Sequence, residues 1–77
     1  MKKIHVLGTG CAKCVKLKEL TDQAVADLAL EAEVIKVEDI MEITGFGVMM
    51  TPALVVDNKV VVTGRVPTLD EIKGFLQ

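Results

Sequence analysis

The strongest constraint on the fold is a change in hydrophobic spacing along the first half of the chain. Lys2 to Leu7 is a short aliphatic and β-branched run typical of a strand, and it stops at the Gly8-Thr9-Gly10 loop. Cys11 to Leu30 contains no Gly or Pro, and its apolar residues recur at helical steps, which indicates one long helix. Ala32 to Val37 is strand-like again. A long helix between two strands predicts a parallel pair joined by a right-handed crossover.

The remaining chain contains two further helix signals. Asp39 can cap a short helix that runs through Ile43 or Thr44 and is ended by Gly45 and Gly47. Thr68 is followed three residues later by Glu71, which is the pattern of a capping box, and apolar residues continue beyond it at helical spacing. We therefore expect a short second helix and a third helix that finishes the chain.

A β-hairpin is predicted between these two helices. Ala53 to Val56 and Lys59 to Thr63 are β-rich runs, and the Asp57-Asn58 pair between them tolerates the positive φ of a two-residue turn. The element order is then β-α-β-α-β-β-α. We expect an α/β fold in which three helices flank both faces of one four-stranded mixed sheet, because a sheet this hydrophobic must be covered on two sides.

Composition limits both the organisation and the function of the chain. A length of 77 residues supports a single domain over residues 1–77, and with only two phenylalanines its core must be aliphatic. The net charge is −2 without any basic stripe, which gives no support for nucleic-acid binding. The apolar run after Met1-Lys2-Lys3 is too short for a signal peptide, so we expect a cytoplasmic protein without a membrane segment.

The chemistry of the chain lies in the Cys11-Ala-Lys-Cys14 pair. A disulfide across so short a loop removes little chain entropy, at most about 2 kcal/mol, so it would be a poor structural staple. In a reducing compartment such a pair is typical of a catalytic, redox-sensing or metal-binding site. One helical step back from Leu17 reaches Cys14, so Cys14 is expected to face inward and Cys11 to lie exposed at the helix start.

The position of Cys11 favours a reactive thiolate. Unpaired N–H groups and the positive end of the helix dipole stabilise an anion in the first turn. Lys13 and Lys16 add positive charge nearby and are expected to lower the pKa of this thiol. Cys14, one turn deeper, is placed to resolve a mixed disulfide by attacking Cys11.

These features resemble the thioredoxin superfamily, in particular its small single-domain members with a redox-active disulfide. The resemblance spans nearly the whole chain. It rests on the segments G-T-G-C-A-K-C, G-V-M-M-T-P-A-L-V-V and T-G-R-V-P-T-L-D-E-I. It implies that Pro52 is a cis proline packed beside the disulfide, and that the backbone of Thr51 binds the extended backbone of a substrate.

The resemblance also implies a function. The chain would be a thiol-disulfide oxidoreductase, similar to thioredoxin or glutaredoxin, that exchanges electrons with protein disulfides through Cys11 and Cys14. It would need no bound cofactor, because electrons would arrive from a separate reductase, such as a flavoprotein of the thioredoxin-reductase type. We expect a monomer without a metal site.

The chain departs from the larger thioredoxins around the cysteines. These usually carry W-C-G-P-C, whereas here Gly10 replaces the Trp and Ala12-Lys13 replaces Gly-Pro. They also keep a buried acid on the preceding strand, for which the nearest titratable residue here is His5. The proton-transfer role of that acid is therefore not carried over, and the direction of electron flow stays open.

Two other functions stay open. The cysteine loop is similar to the G-M-T-C-x-x-C loop of small copper-chaperone domains, and two thiolates are competent ligands for Cu(I). Against this, the loop lacks the Met, those domains have the order β-α-β-β-α-β, and Pro52 has no place in their pattern. The second alternative is a non-catalytic redox switch, in which the state of the disulfide changes partner binding.

Four further residues have an ordinary interpretation beside a functional one. His5 lies among aliphatic residues and is interpreted as a packed residue with one hydrogen bond, rather than a metal ligand or a thiol-tuning group. Of Met49 and Met50, we expect one to fill the core and the other to form an apolar lip for partner docking. Arg65 is interpreted as a surface charge.

Overall fold

Residues 2–77 are described by a computed structural model, and they follow the predicted element order. The elements are β1 (Lys2–Leu7), α1 (Ala12–Asp27), β2 (Ala32–Val37), α2 (Ile40–Gly45), β3 (Ala53–Val56), β4 (Lys59–Thr63) and α3 (Leu69–Leu76). All four predicted strands have the expected bounds. The long helix is shorter than the stretch free of Gly and Pro, because it ends at Asp27 rather than near Leu30.

The four strands form one mixed sheet in the order β2-β1-β3-β4. β1 runs parallel to β2 with Leu7 opposite Val37, and antiparallel to β3 with Leu7 opposite Ala53. β3 and β4 form the antiparallel hairpin, with an irregularity in the register at Leu54/Val55. β1 therefore lies inside the sheet, between β2 and β3. The loop that follows β1 begins near the middle of the sheet edge formed by the carboxyl end of this strand.

Two hydrophobic clusters confirm that helices cover both faces of the sheet. On one face α1 and α3 pack against β1, β3 and β4, and on the other face α2 covers part of β1, β2 and β3. The first cluster contains Ile4, Val6, Leu17, Ala24, Leu54, Val56, Val62, Ile72 and Leu76. The second contains Leu7, Val37, Ile43, Val48, Ala53 and Val55.

The predicted caps and the predicted turn are present. Cys11, Asp39 and Thr68 each accept a backbone N–H as the N-cap of their helix, and the last forms the complete capping box with Glu71. The hairpin turn has positive φ at both central residues, 49° at Asp57 and 67° at Asn58. The local signals in the sequence therefore correspond to the observed helix starts and to the observed hairpin turn.

The buried stripe of α1 includes one polar residue that the apolar pattern did not indicate. The buried positions are Cys14, Leu17, Thr21 and Ala24, whereas Leu20 and Leu28 are only half-buried. Thr21 is accommodated because its hydroxyl donates a 2.8 Å hydrogen bond to the carbonyl of Leu17 one turn earlier. Across residues 2–77, the helices are all too short or too polar to cross a membrane.

Candidate redox site

The cysteine loop is held between the central strand and the first helix. Gly8 follows β1 and donates its N–H to the carbonyl of Val37 on β2, at 2.9 Å. Gly10 has a φ of +92°, which a side chain would disfavour, and it turns the chain into α1. Cys11 is the N-cap, with extended backbone angles, so it lies where the helix presents its free N–H groups.

The two cysteines lie one turn apart and differ in exposure. Cys11 is exposed, whereas Cys14 is only 1% exposed, which confirms the orientation expected from the helical stripe. Both are free thiols, with their Sγ atoms 2.7 Å apart. Cys11 Sγ also accepts a 3.3 Å hydrogen bond from the backbone N–H of Cys14. The sulfurs are close enough for a disulfide to form with little backbone movement.

The surroundings shift the two thiols in opposite directions. The pKa of Cys11 is lowered, chiefly by the hydrogen bond from the Cys14 thiol and then by the backbone N–H of Cys14. Burial is the main cause that raises the pKa of Cys14, and its hydrogen bond to Cys11 adds to this. The exposed sulfur is therefore the more readily ionised of the two, and the buried sulfur is the less readily ionised.

The two lysines assigned to pKa tuning both lie at the surface. Lys13 and Lys16 are exposed on the first turns of α1. Lys13 helps to lower the pKa of Cys11 through its backbone N–H, which is a contribution of the helix start rather than of the ammonium group. The effect of the two side-chain charges stays a prediction.

Thr51 and Pro52 lie at the start of β3. The peptide bond between them is cis, as the resemblance implied, with Thr51 exposed and Pro52 buried. The carbonyl of Pro52 accepts a 2.8 Å hydrogen bond from the N–H of Gly64, which anchors the segment to the end of β4. The assigned role of Thr51 in substrate binding stays a prediction.

A cavity of about 300 Å³ connects the Thr51 segment with the cysteine loop. Its wall combines the loop residue before the cysteines, one side of α2 and the segment that precedes Pro52. The lining residues are Thr9, Ile40, Ile43, Thr44, Val48, Met49 and Thr51. Thr9 and Thr51, which are far apart in sequence, therefore contribute to the wall of the same cavity.

The expectation that one methionine would face inward was wrong. Met49 is 95% exposed and Met50 is 63% exposed. The physical reason is that Val48 fills the core position of this segment, and that Met50 lies across Gly64, where an added Cβ would be 3.1 Å from its Cε. Both methionines thus contribute to the surface near Thr51.

Several large hydrophobic side chains are exposed, and two of them, Ile40 and Met49, line the same cavity as Thr51. Large hydrophobic residues are usually buried, and those that are exposed in clusters mark binding surfaces. Among the described residues, the exposed ones fall in the first turn after Cys14, at the start of α2 and just before Thr51. They are Val15, Ile40, Met41, Met49 and Met50.

Gly8 is a site residue that sequence reasoning missed, since its pattern indicated only the end of a strand. A Cβ at this position would overlap Cys14 Sγ and would lie 2.8 Å from Cys14 Cβ. Gly8 therefore provides the space for the buried sulfur. This contact joins two elements, and no local sequence pattern reports it.

His5 is a packed residue, as interpreted, but the expected hydrogen bond is missing at one nitrogen. Its ring lies against Phe46, with the centroids 4.9 Å apart. Its buried Nδ1 has no hydrogen-bond partner within residues 2–77. Together with Glu42 and other residues it lines a second cavity of about 350 Å³ on the α2 face.

Other charged residues do not extend the site. In the described part of the chain, the His, Cys, Asp and Glu side chains form no group of three or more that could hold a metal ion. Arg65 is exposed and forms an ion pair with Glu71, in which Nη2 and Oε2 are 3.0 Å apart. Arg65 is thus a surface charge that contacts the final helix.

Comparisons with known proteins agree with this geometry. The family described as thioredoxin domain matches residues 2–77. A thioredoxin of Methanocaldococcus jannaschii is 40% identical over 77 residues, which cover 100% of this chain and 88% of the relative. A thioredoxin of Methanothermobacter thermautotrophicus is 38% identical over 76 residues, which cover 99% of each chain.

A solved structure gives an independent comparison of the fold. It is described as thioredoxin-2, a component of the protein secretion machinery of the malaria parasite, and it matches with a TM-score of 0.75. The match covers 99% of this chain and 81% of that one, at 10% sequence identity. At this identity the likeness shows the fold alone.

Proposed function

Because this chain belongs to the thioredoxin domain family, we propose that it is a small thiol-disulfide oxidoreductase that exchanges electrons with protein disulfides through Cys11 and Cys14. The observation that supports the proposal most is the asymmetry of the pair. An exposed thiol with a lowered pKa caps a helix, and a buried thiol with a raised pKa lies within reach of it. In the proposed thiol-disulfide exchange, the exposed thiol attacks as a thiolate and the buried thiol resolves the mixed disulfide that forms.

In the proposed reaction Cys11 is the nucleophile. Its thiolate attacks one sulfur of a partner disulfide, so that the partner S–S bond breaks, a mixed disulfide forms and one partner sulfur leaves as a thiolate. Cys14 then loses its proton and attacks Cys11 Sγ, which releases the second partner thiol. The products are a Cys11–Cys14 disulfide and a partner dithiol, so two electrons and two protons pass to the substrate.

The exposed hydrophobic residues and the cavity that two of them line support the proposal that the substrate is a protein rather than a small thiol. An extended segment that carries a disulfide can contact Met49 and Ile40 on one side of Cys11 while its backbone lies along Thr51. Flexible methionine side chains adapt to different partner surfaces, which suits a protein that acts on several clients.

In the proposed cycle, a second protein is needed to reduce the Cys11–Cys14 disulfide before the next turnover. We propose that a separate reductase, such as a flavoprotein, returns the disulfide to the dithiol, and that the chain itself works without a bound cofactor, as a monomer, in the cytoplasm. A reducing compartment favours this assignment because a four-residue disulfide loop adds little to stability and is suited to repeated opening.

Reduction of insulin with dithiothreitol as electron source tests the proposal. The wild-type protein is expected to accelerate precipitation of the insulin B chain, and Cys11→Ser should abolish the acceleration. Cys14→Ser should instead accumulate a mixed disulfide with insulin, which can be observed by mass spectrometry without reductant. Activity that survives in Cys11→Ser would contradict the assigned roles.

The metal-chaperone alternative is less well supported by the fold. The chain has the order β-α-β-α-β-β-α and ends in a helix after a hairpin, unlike the order of the small copper-chaperone domains. Two neighbouring sulfurs could still bind a soft metal. Competition for Cu(I) against a chelator decides this point, because tight stoichiometric binding together with no insulin reduction would favour transport.

A further inference from the structure

We propose that Gly8 is a positioning residue for the redox pair, because its missing side chain leaves the space that the Cys14 sulfur occupies as a thiol. On this view Gly8 sets part of the balance between the dithiol and the disulfide. The inference rests on the proposed function only in treating Cys11 and Cys14 as a redox pair.

The glycine is required by space and not by backbone conformation. The glycines with positive φ are Gly10, Gly47 and Gly64, so the backbone of Gly8 would accept a side chain. The obstacle is the overlap of an added Cβ with Cys14 Sγ, together with the 2.8 Å distance to Cys14 Cβ. Carbon atoms that are not bonded to each other do not approach so closely.

Neither Gly8 nor Cys14 can move away from this contact easily. Gly8 follows the central strand and is fixed by its hydrogen bond to Val37. Cys14 lies in the first turn of α1, whose residues Leu17 and Ala24 are both fully buried in the core. A methyl group at residue 8 must therefore be accommodated by displacement of the Cys14 side chain, and well-packed interiors resist such changes.

The displacement affects the two redox states differently. In the dithiol each sulfur carries a proton and the two are not bonded, so they must stay farther apart than the two sulfurs of a disulfide. Oxidation joins the sulfurs by one bond and transfers two electrons and two protons to the oxidant, here oxidised dithiothreitol, which becomes its dithiol. The bonded pair needs less room, so a methyl group at residue 8 raises the free energy of the dithiol more than that of the disulfide.

The test is the redox equilibrium of Gly8→Ala. Wild type, Gly8→Ala and Gly74→Ala are equilibrated with mixtures of reduced and oxidised dithiothreitol, and free thiols are quantified by alkylation and mass spectrometry. We expect Gly8→Ala to shift the equilibrium about tenfold toward the disulfide, which is a potential about 30 mV more negative. Gly74 is the matched control, since an added Cβ there meets nothing within 4 Å apart from its chain neighbours and the backbone of its own helix.

The outcomes separate this inference from the proposed function. An unchanged potential in Gly8→Ala, or a shift toward the dithiol, would overturn the role of Gly8 while the redox pair stands. A wild-type protein that forms no Cys11–Cys14 disulfide would overturn both. A potential that changes equally in Gly8→Ala and Gly74→Ala would also overturn the inference, because the effect would not depend on the contact with Cys14.

A double-mutant cycle with Cys14→Ala covers the case in which Gly8→Ala does not fold. Removal of the sulfur relieves the more severe overlap and leaves only the 2.8 Å contact with the Cβ of residue 14. Gly8→Ala should therefore cost less unfolding free energy in the Cys14→Ala background than in wild type. Folding of the double variant where Gly8→Ala alone fails would support the inference. Equal losses in both backgrounds, or unfolding of both, would show that the sulfur is not the crowded atom.

Discussion

At the residue scale, the site depends on a difference of one helical turn between two identical side chains. Cys11 receives hydrogen bonds from the Cys14 thiol and from backbone N–H groups, whereas Cys14 is surrounded by packed atoms. Hydrogen bonds to a thiolate favour ionisation, and burial opposes it. Hydrogen bonding at Cys11 and burial at Cys14 thus give the two thiols different acidities.

This separation predicts an ordered titration of the two thiols. The alkylation rate of Cys11 should rise with pH through a pKa below the ordinary cysteine value of about 8.5, while Cys14 should react only above that value. Cys14→Ala should raise the pKa of Cys11, because the strongest hydrogen bond to its thiolate is lost. The pH dependence of iodoacetamide labelling, resolved by peptide mass spectrometry, measures both.

The same experiment tests the two lysines. Lys13→Gln and Lys16→Gln are each expected to raise the pKa of Cys11 at low ionic strength, and to raise it less in high salt. Lys59→Gln, at the distant hairpin, serves as the control. A pKa of Cys11 that does not respond to Lys13→Gln or Lys16→Gln would assign the lowering to the Cys14 thiol and the backbone N–H groups, with no part for the two side-chain charges.

At the scale of single elements, α3 is held at its start by a network of exposed polar groups. Thr68 Oγ1 accepts from the N–H of Glu71 at 3.2 Å, and Glu71 Oε1 accepts from the N–H of Thr68 at 3.1 Å. The guanidinium of Arg65 donates to both carboxylate oxygens of Glu71. Arg65 is the main cause that lowers the pKa of Glu71 to about 2.

The lowered pKa of Glu71 predicts a defined pH dependence of stability. A carboxyl with a lower pKa in the folded state stabilises fully above its unfolded pKa of about 4.3, and this contribution is lost as the pH falls toward 2. Wild type should therefore be more stable than Glu71→Gln at pH 6, and the difference should shrink as the pH falls below about 4.3 and disappear only below about 2. Urea unfolding of both proteins across this range measures it, and a constant difference would contradict the prediction.

Most bounds of the elements were predictable because polar and glycine residues mark them chemically, but no Gly or Pro marks the end of α1 at Asp27. Asp39 and Thr68 each have a side chain that accepts a free N–H, and Asp57-Asn58 can adopt positive φ without tertiary support. The central place of β1 was not predictable, since the sequence contains no local signal for which strands pair. The exposure of Met49 and Met50 was missed for a similar reason, because Val48 competes for the same core position.

The site likewise has features with a local sequence signal and a feature that depends on a tertiary contact. The unequal exposure of Cys11 and Cys14 follows from helical spacing, which the sequence displays. The role of Gly8 depends on a contact between the end of one strand and the first turn of the next helix. Such a contact arises only when both elements are placed on the sheet, so sequence reasoning recovered the sulfurs but missed the space that holds one of them.

At the scale of the whole molecule, a chain of 77 residues has little stability to lose. Domains of this size unfold with roughly 0.05 to 0.15 kcal/mol per residue, so a single core change can remove a large share of the total. The cluster shared by α1 and α3 is the larger of the two, and it holds the helix that presents the cysteines against the sheet.

Truncation of Ile72 tests the importance of this cluster. Ile72 is fully buried, so Ile72→Ala should lower the free energy of unfolding by about 2 to 5 kcal/mol. Ile40→Ala removes the same atoms from a side chain that is 68% exposed, and it should change stability by less than about 0.5 kcal/mol. Denaturant titrations of the two variants give the comparison, and similar losses would contradict the assigned core.

The N-cap position of Cys11 has a consequence for the proposed catalytic cycle. In the proposed reaction its sulfur is the attacking atom, and in the free dithiol the same sulfur accepts from the N–H of Cys14. Once that sulfur is bonded to a client, it is neutral and accepts hydrogen bonds weakly, so the opening turn of α1 loses part of its anchor. The Cys14 amide should then exchange with deuterated solvent faster in a trapped client adduct than in the free dithiol, and the loosened turn lets the deeper sulfur advance.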